Sequence, residues 1–252
     1  MNVARDKGPL IPLTSAQEEV RRQQPLIRSS WMEWQRYQYS HRSFITQSFC
    51  GQSVTDQSCN HCGFVQRAWD TWMTCPLDID HFKNTKDKSL ERALEYRFGR
   101  SEPLEDYKCD KCKQTGTLRT ESISRCPEIL IIMLKRTLYI NNRSQKSHVP
   151  VSFPLDNLSM DPYFISLEGR GSEQLDRSFL KPFRYDCYAV VQHEGSTIDA
   201  GHYWAFVRDL QPSTRGDWFK FEDTKPIVQV KDIRKATQNA LSYLLFYKRQ
   251  AP

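Results

Sequence analysis

Two Cys-x-x-Cys pairs, Cys59-Asn60-His61-Cys62 and Cys109-Asp110-Lys111-Cys112, constrain this chain more than any other feature. Two residues between thiolates let a tight knuckle present both sulfurs to one tetrahedral ion. Two knuckles supply four sulfurs and close the coordination shell, which points to structural zinc with no position left open for catalysis. The alternative is a set of reduced, empty thiols. Gly63 follows the first pair and Gly116 lies beyond the second, as tight turns require. His61 and His81 are further candidate ligands, but four cysteines suffice. The excursion between the pairs is longer than in a compact zinc finger, yet it reads as ordered. Phe64-Val65 is strand-like, and Leu90, Ala93, Leu94 and Phe98 share one face of a helix near residues 89–98.

Composition narrows the class. The 252 residues can bury a substantial core, and 38% hydrophobic content suits a globular protein. No run approaches the ~18 apolar residues of a membrane span, and the N-terminus carries no apolar signal core. Eight cysteines in such a chain indicate metal binding or reduced thiols rather than a disulfide framework, and an intracellular site, in cytoplasm or nucleus. The formal charge of +6 comes from scattered rather than clustered basic residues, which describes a solvated surface better than a nucleic-acid interface.

Along the chain, Pro9, Pro12 and Pro25 interrupt residues 1–28, which read as a flexible extension. Ser29 or Ser30 caps the next helix, where Trp31, Trp34 and Tyr37 repeat every three residues as a packing face. Thr117 to Ser124 alternates as a strand returning from the second knuckle. Ile129 to Leu134 is near-continuously apolar and reads as a central strand buried on both faces. Residues 141–150 are polar and turn-rich, and 166–178 form a polar insertion.

The chemistry concentrates between Phe183 and Asp223, which reads as strand, turn, strand, loop, strand. His202 stands at the mouth of the second strand, and Glu222-Asp223 follow the third. Antiparallel neighbours bring these groups together, so that a carboxylate holds one ring nitrogen while the other faces substrate. That is two-thirds of a nucleophilic triad. Residues 227–230 then read as an edge strand, 232–239 as a short helix, and 240–247 as a last strand lying beside the first strands of this stretch.

The motifs "YDCYAVVQHEG", "GHYWAFVR", "WFKFED" and "SYLLFYKR", preceded in order by "FCGQ", "CNHC", "YKCDKC" and "PEILIIMLKR", resemble the ubiquitin-specific proteases. These are papain-like cysteine peptidases that remove ubiquitin from other proteins. The resemblance runs from Trp31 to Arg249. It implies an α+β fold: a mainly antiparallel palm sheet with a zinc-ribbon fingers extension, a partial papain-like peptidase. Residues 29–252 would form the partial domain, with fingers about 45–126 and palm about 127–252. It implies ubiquitin and ubiquitinated proteins as partners, and no membrane.

The resemblance also implies roles. His202 matches the general base, Gly201 leaves room for a narrow glycine-rich tail, and Tyr203 flanks the substrate. Where the family usually carries Asp or Asn, this chain has Glu222, with Asp223 next; either could orient the imidazole. The family's nucleophilic cysteine opens a helix in an N-terminal box, and no segment here reads as that box. Cys50, Cys75, Cys126 and Cys187 lie outside the knuckles, and none has a glycine-rich, helix-opening context. The chain therefore reads as a fragment or truncated gene model of a deubiquitinase. The rival is a ubiquitin-binding scaffold without catalysis, and a zinc-ribbon nucleic-acid module is a weaker third.

Overall fold

The computed structural model describes residues 26–140, 143–165, 177–195, 200–211 and 216–251. Most of the expected N-terminal extension (1–25) and of the polar insertion (166–176) lies outside the described residues. The chain divides into two units, each described by itself.

The first unit takes residues 1–73, 98–128 and 160–182. It opens with helix α1, Leu26–His41, and the short α2, Phe44–Phe49. Ser29 and Ser30 were expected to cap α1. They lie instead inside it and are fully buried, because the helix starts at Leu26 and turns that face onto β-structure. Ser30 Oγ donates to Gln52 Oε1 at 2.8 Å, and Ser124 Oγ donates to the same oxygen at 3.0 Å. Trp34 is buried as expected, stacks on Tyr37, and lies under the Arg125 guanidinium, 3.8 Å from the ring centroid. The four-stranded sheet of this unit has β1 (Gly51–Cys59), β2 (Val65–Trp72), β4 (Ser101–Lys108) and β5 (Thr115–Arg125) in the order β2-β1-β5-β4, all antiparallel. β4 was not expected, since its residues Ser101-Glu102-Pro103 carry no strand signal; as an edge strand it has only one ladder to satisfy and tolerates proline.

The second unit takes residues 74–97, 129–159 and 183–252. Its main sheet joins β3 (Thr74–Asp78), β6 (Ile129–Lys135), β10 (Arg184–Glu194), β11 (His202–Arg208), β12 (Trp218–Phe221), β13 (Val228–Val230) and β14 (Ser242–Arg249). The order is β13-β12-β11-β10-β14-β6-β3, with β9 (Leu158–Ser159) paired to β10. A separate antiparallel pair is formed by β7 (Thr137–Ile140) and β8 (Arg143–Lys146); β8 falls in residues 141–150, whose polar residues suggested turns. Helix α3, Leu90–Phe98, presents fully buried Leu90 and Leu94, and α4 spans Ile233–Thr237 with Asp232 capping it.

β6 departs from the expected strand buried on both faces. Leu130, Ile132 and Leu134 are buried, whereas Ile129, Ile131 and Met133 are half-buried. The unbroken apolar run reflects its position between β14 and β3, the latter pairing in parallel. Arg136, just beyond it, is buried, and its guanidinium donates to the carbonyls of Ser242 (2.9 Å), Asn239, Ser147 and Val149. Burial pushes its pKa down to about 10. The cation is solvated by backbone rather than by a carboxylate, and so clamps the segment after β6 to the start of β14.

Candidate active site and metal centre

Strand pleating decides which side chains share the face of His202. Ala205 pairs with Phe221, and Phe206 with Lys220, across β11 and β12. Residues 202, 204 and 206 therefore lie on one face with Lys220, and extending the ladder by one step adds Glu222 to that face. On the other side of β11, Gln192 of β10 pairs with Trp204, and Ser242 of β14 pairs with Gln192. Hydrogen bonds follow this row. Trp204 Nε1 donates to Gln192 Oε1 at 2.9 Å, and Gln192 Nε2 donates to Ser242 Oγ, to Asn239 Oδ1 and to the Ala236 carbonyl. A buried glutamine in an apolar strand thus fixes the indole beside which His202 stands.

His202 Nε2 lies 2.9 Å from Glu222 Oε1, and Asp223 Oδ2 lies 3.6 Å from Nδ1. Glu222 also accepts from Lys220 Nζ (2.6 Å) and from Lys225 Nζ. Lys220 first, then Lys225 and His202, hold its carboxyl down to about 2. It is ionised near neutral pH and can only accept, so Nε2 is the donor in this contact. Asp223 is at ion-pair range, not in a hydrogen bond. It occupies the left-handed region (φ 45°), which takes it out of the ladder and into the turn closed by Lys225 N–H to the Glu222 carbonyl. The His202 side chain is 41% exposed.

Gly201 and Tyr203 are arranged differently. A Cβ at Gly201 would sit 2.1 Å from His193 Nε2 and 2.4 Å from the Glu194 carbonyl oxygen, so only glycine fits against the chain's own packing. Tyr203 points to the opposite face from His202 and stacks on His193, centroids 4.3 Å apart. Lys146 Nζ donates to His193 Nδ1 (3.1 Å) and to its carbonyl (2.8 Å). Burial, aided by Lys146, lowers the pKa of His193. His193, Lys146 and Gln192 carry no mark of these roles in the sequence, since pairing across strands distant in sequence leaves no local signal.

The eight cysteines divide evenly. Cys50, Cys75, Cys126 and Cys187 are at most 1% exposed, and burial raises the thiol pKa of Cys50 and Cys187. Cys59, Cys62, Cys109 and Cys112 gather their sulfurs within 4.8 Å of one another. The Cys59–Cys112 and Cys62–Cys109 separations are 3.6 and 3.8 Å, against the edge of roughly 3.8 Å that a tetrahedron of ~2.3 Å zinc–sulfur bonds demands. The donor set and its size fit a tetrahedral metal ion. The backbone N–H of Cys62, then that of His61, hold the Cys59 thiol down to about 6. His61 Nε2 is engaged with the Thr115 carbonyl at 3.0 Å. The knuckles are built alike: Cys59 N–H bonds to Phe64 O and Cys109 N–H to Gln114 O, both at 2.9 Å. Each places its fourth residue beyond the first cysteine at positive φ, Gly63 at 66° and Lys113 at 63°. Lys113, not Gly116, is therefore the counterpart of Gly63; Gly116 (φ 98°) is the second residue of β5, and its carbonyl accepts from the Asn60 N–H.

Residues 10–247 match the ubiquitin carboxyl-terminal hydrolase family. The chain belongs to that family. Among its relatives are ubiquitin carboxyl-terminal hydrolase 4 of Eremothecium gossypii, 30% identical over 99% of this chain and 29% of that protein, and human ubiquitin carboxyl-terminal hydrolase 3, 31% identical over 81% of this chain and 38% of that protein. A chain of the SAGA Ubp8/Sgf11/Sus1/Sgf73 DUB module, solved bound to ubiquitin aldehyde, shares the fold with a TM-score of 0.67 at 24% identity, over 90% of this chain and 48% of that one. The α+β architecture with mostly antiparallel sheets is thus the family's. This member spans less than two-fifths of the length of these curated hydrolases.

Proposed function

We propose that this chain carries the base half of a deubiquitinating cysteine protease, acting inside the cell on ubiquitin and ubiquitinated proteins. The carrying observation is the His202–Glu222 hydrogen bond at 2.9 Å, on an imidazole side chain that is 41% exposed. In this reading Glu222 fixes the Nε2–H tautomer. Nδ1 takes the proton of a thiol, and the thiolate sulfur bonds to the carbonyl carbon of ubiquitin's C-terminal glycine. Nδ1–H then protonates the departing amine as the C–N bond breaks, leaving an acyl-enzyme. Water, losing a proton to Nδ1, attacks that thioester; the proton returns to the departing sulfur. Gly201 and Tyr203 flank the base, and the four knuckle cysteines hold zinc as a structural ion. No nucleophile is assigned among the cysteines of this chain, since four are gathered for metal and four are buried. Four cysteines gathered as a metal-ligand set, rather than joined in disulfides, support a reducing compartment, cytoplasm or nucleus.

The commitment of all eight thiols favours a second reading: ubiquitin binding without hydrolysis. One experiment tests both. The chain is exposed to ubiquitin bearing a C-terminal electrophile, and separately titrated with ubiquitin. Binding is expected, with no covalent adduct unless a thiol is supplied from another segment. Failure to bind ubiquitin overturns the proposal, and an adduct on Cys50, Cys75, Cys126 or Cys187 overturns the assignment of the nucleophile elsewhere.

A further inference from the structure

His202 stands among an unusual density of charge. Glu222 touches Nε2, Asp223 lies at 3.6 Å from Nδ1, and Glu194 is directly across the β10–β11 ladder. A carboxylate bonded to one ring nitrogen and a second at ion-pair range of the other favour an imidazolium, which is no base. The structure contains a counterweight. Lys220 shares the face of His202, its ammonium 4.8 Å from the Trp204 ring centroid and 2.6 Å from Glu222 Oε2. Lys225 is folded back by the 222–225 turn onto Glu222 Oε1, the oxygen that also meets His202. One carboxylate therefore serves three donors, two of them lysine ammoniums.

We propose that Lys220 and Lys225 are positioning residues that share the Glu222 carboxylate with His202, and so keep the imidazole in its neutral, proton-accepting form. The arrangement also accounts for the glutamate. Its carboxylate reaches beyond the last rung of β12, where the strand-face ammonium and the turn ammonium converge with the ring. Lys220 is placed by the Gln192–Trp204 row beneath it, and Lys225 by the left-handed Asp223. Neither lysine contacts the open side of the ring; both act through Glu222.

The name of base for His202 rests on the proposed function, but the test does not. The protonation of the His202 ring is followed by NMR across pH in the 252-residue chain at low salt. Lys220→Met and Lys225→Met are each expected to raise the midpoint by about half a unit, roughly a threefold gain in proton affinity, and the double variant by about one unit. Lys220→Arg and Lys225→Arg keep the charge and are expected to leave it near the wild-type value. Glu222→Gln is expected to lower it. The lysine effects shrink at high salt, because both ammoniums are partly exposed. A midpoint that stays put or falls in both Lys→Met variants overturns the proposal. Loss of ubiquitin binding would not, so the two failures are distinguishable.

Discussion

At the scale of single residues, the position before His202 is set by the chain itself. His193 Nε2 and the Glu194 carbonyl leave no room for a Cβ at residue 201. Gly201→Ala is therefore expected to cost about 1–3 kcal/mol in unfolding free energy, measured by denaturant melts, as overpacking does. Adding His193→Ala should recover only part of that loss, since the backbone carbonyl remains, and the double-mutant cycle reads the coupling. The same region shows what a sequence can disclose about a site. His202 and an acidic partner were legible, because antiparallel strands of alternating residues bring them together. The choice between Glu222 and Asp223 was not, because it turns on where β12 stops. The ladder ends at Phe221, Glu222 keeps the face by one further step, and Asp223 leaves it at φ 45°. The Lys146–His193 and Gln192–Ser242 contacts were illegible for another reason: each joins residues some fifty positions apart.

At the scale of elements, the two knuckles are equivalent half-sites on neighbouring hairpins. Each is closed by the same pair of backbone hydrogen bonds, and each gives one buried and one more exposed sulfur. If zinc occupies them, native mass spectrometry should find one ion per chain. Chelation or Cys62→Ser should release it and strip hydrogen-exchange protection from the ends of β1, β2, β4 and β5. Protection in β6, β10 and β14, which belong to the other unit, should persist; equal loss in both would show that the metal does more than close the knuckles. The cysteine spacing made this centre readable from sequence, and the apolar runs made β6, β10 and β14 readable. β3, β4 and the β7–β8 hairpin were not, because strands with few contiguous apolar residues are specified by the neighbours they pair with, not by their own pattern.

At the scale of the whole molecule, acid should weaken the fold in two stages. The folded pKa of His193 is lowered below its ordinary 6.5, so the unfolded chain binds the extra proton. Its stabilising contribution is complete above about 6.5 and declines as pH falls below that. Glu222 is held near 2 against an ordinary 4.5, so its contribution is complete above about 4.5 and is lost as pH falls towards 2. Urea midpoints recorded at successive pH values should show both legs. His193→Gln should flatten the upper one and Glu222→Gln the lower. Among the described residues no helix is long and apolar enough to cross a membrane.

The sheet of the second unit is not assembled in the order in which its strands are made. β14, the last strand, lies between β10 and β6 and pairs with both. During synthesis those two strands leave the ribosome with no partner between them, and the Arg136 guanidinium emerges long before the Ser242 and Asn239 carbonyls that receive it. A nascent chain must hold this gap open, or be shielded by a chaperone, until its closing segment is released.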